Sequence, residues 1–415
     1  MHAPEHTAPI DDHVTLPGRW QAMSIPLAAL GLGLVVVGWA LLFYLASPRE
    51  GESQLLRVFF HSYLANFMFI LSFGLGGLFL TLISFLARAG WNASIRRLAE
   101  ILGATIPWIC FLLVPIFLTL FIGDGVLLYE WNAAEPEGLT ALKTDYLNPS
   151  FFLIRSIIYV LIWTFMALWY FRLSVRQDET KDIDSTLRRQ YWSGPLTMLF
   201  ALSVSFAAFD WLMSIDADWY STIFGVYYFA ASMFGTFAFM IGAYLLLQRA
   251  GRVRRMVTIE HFHDMAKFLF GFVMFWSYIA FSQLLLIWYA NIPEETVWYR
   301  MRWEGNWNVF SYALLATHFA IPLLGLLSRH VRRNRFGLAF WSVWALVVHW
   351  MDMTFLVMPN AAEFTGLMLL GHAVCGLGMF SILISLVLLR ASNVPLVTTG
   401  DPRLHEALSY ANPLL

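Results

Sequence analysis

The chain has 415 residues, of which 59% are hydrophobic and 13% charged, with a formal net charge of −1. A soluble domain carries about a quarter charged residues, so this composition excludes a soluble globular protein and indicates an integral membrane one. The two cysteines, Cys110 and Cys375, lie inside apolar runs. They exclude a disulfide framework, a CxxCH haem site and an iron–sulfur cluster held by this chain alone.

No signal peptide is legible at the start. His2, His6 and His13 allow a loose metal site in this polar stretch, and a disordered tail is the simpler reading. Ten apolar runs of spanning length follow, at about 25–46, 58–86, 98–122, 151–170, 195–214, 223–247, 267–290, 309–327, 338–358 and 365–389. Tryptophans crowd their ends, as in an interfacial belt. The second and third runs exceed one bilayer thickness, which implies tilt or extension into water. Pro107 and Pro115 predict kinks in the third helix, and Pro322 in the eighth. The expected organisation is a tail over 1–22, a ten-helix membrane domain over 23–390 and a second tail over 391–415.

Of the 26 Lys and Arg, 20 fall in the tails and the connections on their side, 5 in the opposite connections, and Arg155 inside a helix. That asymmetry places both termini in the cytoplasm, with Asp124, Asp216 and Asp218 in outward loops. Small residues predict close helix crossings at Ser72-x3-Gly76, Gly77-x3-Thr81 and Ala231-x3-Gly235. A short echo links Phe209-Asp-Trp-Leu-Met213 to Val348-His-Trp-Met-Asp352. Each segment is followed by a short outward loop, which suggests repeat-like halves at about 58–214 and 223–358.

Ionisable groups are costly in lipid, so the few inside the runs are the candidates for chemistry. The outer half carries His61, Asn66, Arg155, Asp210, Asp352 and His372; the middle carries Tyr278, Ser282, Gln283, His318 and His349. The inner half is poorer, with Glu100, Glu260, Asp264 and Lys267 at an aqueous rim. Asp210 is expected to face the His349–Asp352 segment across the bundle. Arg155 lies close enough to the outer interface to snorkel. Paired Asp and His in a low dielectric can titrate near neutrality, which suits a proton path or a quinol pocket. Interhelical hydrogen bonding alone is the plainer role for the same residues. Facing histidines at comparable depth also leave one haem b open.

Several blocks together resemble the F subunit of bacterial alternative complex III, a member of the NrfD/polysulfide-reductase membrane-subunit superfamily. They are His61-Ser-Tyr-Leu-Ala-Asn66, 147–155, Phe209-Asp-Trp-Leu-Met-Ser214, His263-Asp-Met-Ala-Lys267, 281–296, His349-Trp-Met-Asp352 and Gly400-Asp-Pro-Arg-Leu404. The resemblance implies an all-α fold of ten transmembrane helices, two four-helix bundles (helices 2–5 and 6–9) plus two flanking helices. It implies a respiratory, quinol-oxidising complex in a bacterial inner membrane. The implied partners are a multihaem cytochrome c subunit, an iron–sulfur subunit, a second NrfD-like membrane subunit, small membrane subunits and lipid, with no nucleic acid. The chain would be a subunit, not a stand-alone enzyme, with no redox cofactor of its own, able to conduct protons and to bind quinone or quinol. Asp210, His349, Asp352 and His372 are then the candidates for proton transfer, and His61 and Arg155 for a quinone pocket. No metal site is expected. The competing readings are a structural anchor for peripheral redox subunits and a haem b carrier.

Overall fold

The computed structural model describes residues 13–45, 52–122, 126–135, 138–361 and 363–412. His2, His6 and Asp124 lie outside them. The described residues are helical and without a strand, and ten helices are long and apolar enough to cross a membrane. They are α1 (Gly18–Tyr44), α2 (Leu55–Leu86), α3 (Ala93–Leu118), α4 (Pro149–Thr180), α5 (Ile183–Ile215), α6 (Phe224–Arg249), α7 (Ile259–Ala290), α8 (Trp307–Leu327), α9 (Arg335–Asn360) and α10 (Gly366–Ala391). The protein is an all-α, multi-pass membrane protein. An even number of crossings puts the first and last described segments on one side, here called the terminal side; the other is the distal side. The backbone N–H of Leu396 donates to the Val14 carbonyl at 2.6 Å, and that of Val253 to the His13 carbonyl at 3.3 Å, joining the terminal-side segments.

Local chemistry sets the helix ends. Asn148 caps α4, its side chain accepting from Phe151 N at 2.9 Å with Pro149 in the first turn. The helix stops at Lys181, which is left-handed with φ 52°, and Asp182 caps α5 at once. Asn291, φ 49°, closes α7 ahead of Pro293. Prolines act as expected in α3 and α8. The third helix breaks into Ile106–Ile109, a 3₁₀ turn at Cys110–Leu113, and Val114–Leu118. The eighth widens into a π-helical turn at Ala316–Ala320 just before Pro322. Pro195, by contrast, does not begin the fifth helix, which starts at Ile183 and runs through it.

Helices α2 to α5 close on one another as one bundle and α6 to α9 as a second; α2 packs on both α6 and α9, and α1 pairs with α10 outside. Small residues permit the central contacts. A Cβ on Gly76 of α2 would come 2.1 Å from Thr236 Oγ1 of α6, and one on Gly235 of α6 would come 2.4 Å from His349 Cδ2 of α9.

The terminal end is held by buried charges. Arg96 and Arg97 bond Glu100 at 3.2 and 3.1 Å, Arg97 reaches Asp178 at 2.7 Å, and Arg96 also pairs with Asp401. Glu100 is therefore buried and doubly paired, not set at an aqueous rim as its position in the chain suggested. Gly400 lies so close to α4 that a Cβ there would meet the Gln177 carbonyl at 1.9 Å. The Gly400–Leu404 motif is thus a strap across the feet of α3 and α4.

Candidate functional site

Asp210 sits in the last turns of α5, fully buried. Arg155 of α4 grips it with a fork: Nε donates to Oδ2 at 2.9 Å and Nη2 to Oδ1 at 2.8 Å. The Tyr159 hydroxyl adds a third donor to Oδ2 at 2.7 Å. Arg155 also donates to the Tyr146 carbonyl at 2.8 Å, and its guanidinium lies 3.7 Å from the Tyr146 ring centre and 4.3 Å from that of Phe151. Two expectations are corrected here. Asp210 does not face the His349–Asp352 segment, because α4 is its antiparallel neighbour and already carries a matched cation at the same depth. Arg155 does not snorkel, being only 7% exposed, because a bidentate carboxylate replaces the water it gives up.

Asp352 of α9, also fully buried, has a different setting. The Tyr227 hydroxyl of α6 donates to Oδ1 at 2.5 Å, and Trp276 Nε1 of α7 donates to Oδ2 at 3.0 Å. Among the described residues it has no cation in an ion pair. Both donors also line a cavity of about 540 Å³ between α6, α7, α8 and the short helix Pro293–Trp303, with Gln283, Tyr299, Ser311 and Phe355 in its wall. The lining is mostly apolar, and two of its residues, Tyr278 and Tyr312, are 65% and 64% exposed on the outside of the helices. Neither His61 nor Arg155 borders it.

Above the cavity, towards the distal side, Arg302 is fully buried under the end of α9. It donates to the carbonyls of Trp298, Phe355 and Leu356 at 2.8, 3.0 and 2.8 Å and to Asn360 Oδ1 at 3.0 Å. A cation at a helix C-terminus satisfies carbonyls that the helix leaves open. Burial raises the Asp216 carboxyl in the neighbouring loop above its usual range, against the pull of Arg302. Asp218 accepts from Thr140 Oγ1 at 2.9 Å on the distal surface.

The histidines divide by their partners. His372 Nε2 meets Thr354 Oγ1 at 2.9 Å; that hydroxyl already gives its proton to the Trp350 carbonyl, so Nε2 is the donor. Its Nδ1 then accepts from Ser62 at 2.8 Å and Asn66 at 3.2 Å. Both nitrogens are occupied, which is the pattern of a helix-joining residue. His349 Nε2 meets Ser72 Oγ at 2.7 Å, and that hydroxyl gives its proton to Phe69, so Nε2 is again the donor and Nδ1 is left as a bare lone pair. His61 Nδ1 donates to the Arg57 carbonyl at 2.8 Å and its Nε2 is bare. His318 has no partner at either nitrogen.

The structure therefore brings Asp352 together with Tyr227, Trp276 and the cavity, but separates it from Asp210, each acid facing donors of its own bundle. Tyr227, Trp276 and Arg302 carry no mark in the sequence beyond their residue types. Only the apolar setting of Asp352 gave notice that donors had to exist near it. No group of three or more His, Cys, Asp or Glu able to hold a metal occurs among the described residues. No protein-family model and no curated protein matches the chain.

Proposed function

We propose that this chain is a membrane subunit of a quinol:electron-acceptor oxidoreductase complex, in which it conducts protons and binds a quinone-type ring. The observation that supports this most is the buried acid Asp352, held by two donors that are at the same time walls of a mostly apolar cavity. A ring with a hydroxyl fits such a lining, and its isoprenoid tail leaves between Tyr278 and Tyr312. On oxidation the hydroxyl loses a proton: it passes to the Tyr227 oxygen as Tyr227 hands its own proton to Asp352 Oδ1. The electrons go to redox centres of partner subunits, a multihaem cytochrome c and an iron–sulfur protein, since this chain is read as carrying none. The resemblance of the blocks named above to the F subunit of alternative complex III agrees with that assignment, and so does a bacterial inner-membrane location with positively charged connections inside.

A structural anchor is the competing reading. It is favoured by the saturated Arg155–Asp210 and His372 sites, which need no traffic of protons. The assembled complex in proteoliposomes separates the two. Asp352→Asn and Tyr227→Phe are expected to lower the protons moved per electron and the photolabelling of this chain by an azido-quinone, with the subunit complement intact. Unchanged proton stoichiometry and labelling in both variants would leave the anchor reading in place.

A further inference from the structure

Among the described residues, His318 is a fully buried histidine in the middle of a spanning helix with neither ring nitrogen hydrogen-bonded. It lies in the π-helical turn Ala316–Ala320, where Pro322 has no N–H to continue the ladder and Trp344 Nε1 takes up the freed Thr317 carbonyl at 2.9 Å. The imidazole is fully buried, with no hydrogen-bond partner at Nδ1 or Nε2. Its ring stacks on the Trp276 indole with centroids 3.6 Å apart and planes 15° from parallel, and Phe234 lies 4.4 Å away. Packing alone is a poor reason for a histidine here, because an apolar side chain would fill the space without two unpaired nitrogens. The same indole that carries this ring on its face donates its N–H to Asp352 Oδ2.

We infer that His318 is the proton acceptor that works with Asp352, and that Trp276 is the positioning residue between them. This rests on reading Asp352 as the acid that takes a proton from the cavity. In the step, one proton leaves the Asp352 carboxyl and binds a ring nitrogen of His318, and no electrons move. The carboxylate that remains keeps its bonds from the Tyr227 O–H and the Trp276 N–H. The imidazolium that forms lies over the indole face, where the ring quadrupole attracts a cation. One side chain thus stabilises both products, the anion at its edge and the cation on its face. The π-turn and Pro322 give α8 the irregularity that sets His318 against Trp276. Titratable groups on the helices around His318 include Tyr227, Tyr228 and Tyr244 on α6, Tyr278 and Tyr289 on α7, Tyr312 on α8, and His349 and Asp352 on α9, with Glu260, His261, His263, Asp264 and Lys267 at the terminal-side end of α7. His349, with its bare Nδ1, is the next nitrogen to which the proton can move.

The test is fluorine NMR of the full chain labelled with 5-fluorotryptophan, with the Trp276 resonance assigned by its loss in Trp276→Phe. In the native protein that resonance is expected to shift with a single titration within the pH range over which the chain stays folded. The shift should vanish in His318→Phe and in His318→Gln, two variants of different polarity, so that a fold defect in one does not decide the matter. Asp352→Asn should keep the titration with a changed midpoint. A native resonance flat over that range, or the same titration in both His318 variants, would overturn the inference. Azido-quinone labelling of the cavity does not depend on His318, so this reading and the preceding one fail separately.

Discussion

Replacing Arg155 by Leu is the sharpest way to probe how the first bundle tolerates its acid. The side chain of Asp210 is 0% exposed and that of Arg155 8%. Removing the arginine leaves the carboxylate without its cation, and breaking such a buried pair costs about 3–5 kcal/mol. Loss of the guanidinium contacts with the Tyr146 and Phe151 rings adds about 1 kcal/mol. The double variant Arg155→Leu/Asp210→Leu removes both charges and leaves only the Tyr159 hydroxyl and the Tyr146 carbonyl short of a partner, a loss of about 1–3 kcal/mol. The double variant should therefore be more stable than Arg155→Leu alone, by about 2–3 kcal/mol on these figures. Reversible unfolding of the purified chain in mixed micelles measures each corner of the cycle. A single-variant loss below about 1 kcal/mol, or a double variant worse than Arg155→Leu, would refute the buried ion pair.

Gly235→Ala drives a methyl into the His349 ring and should destabilise the chain by about 1–3 kcal/mol. Gly33→Ala, with nothing within 4 Å of its added methyl, should be silent in the same unfolding assay. Burial by itself raises the Asp401 carboxyl, but the Arg96 guanidinium and the Arg403 N–H outweigh it and hold the group below its usual range. A depressed carboxyl adds stability that is present above its unfolded value of about 4 and is lost as pH falls through its lower folded value. Hydrogen exchange over 394–408 should accordingly quicken on acidification below about pH 4, and Asp401→Asn should show the fast exchange already at neutral pH. His372→Ala should lower stability without changing the protons moved per electron in proteoliposomes, since both its nitrogens are tied to other side chains.

The crossings were legible in the chain because the signal for them is local: twenty or so apolar residues between aromatic belts, with prolines marking the breaks in α3 and α8. The small-residue crossings at Gly76 and Gly235 were legible for a similar reason, since a missing side chain has one main use inside a bundle. Partners were not. Asp210 and Asp352 look alike in sequence, each in an apolar helix ahead of a short distal loop, yet one meets an arginine and the other a tyrosine and an indole. That difference depends on which helices become neighbours, and Arg155 lies 55 residues before its acid while Trp276 lies 76 before its own. The cavity was invisible for the same reason, being walled by helices far apart in the chain. The terminal network escaped notice because Glu100 and Asp401, read singly, resemble solvated surface acids.

The most direct test of the account is a structure of the chain in its complex, in lipid nanodiscs, with a tailed quinone analogue. The account predicts ring density between Tyr227, Trp276 and Tyr299, with a ring oxygen within about 2.6–3.2 Å of the Tyr227 hydroxyl and the tail leaving past Tyr278. A cavity filled by a lipid acyl chain, with the analogue bound elsewhere or not at all, would contradict it.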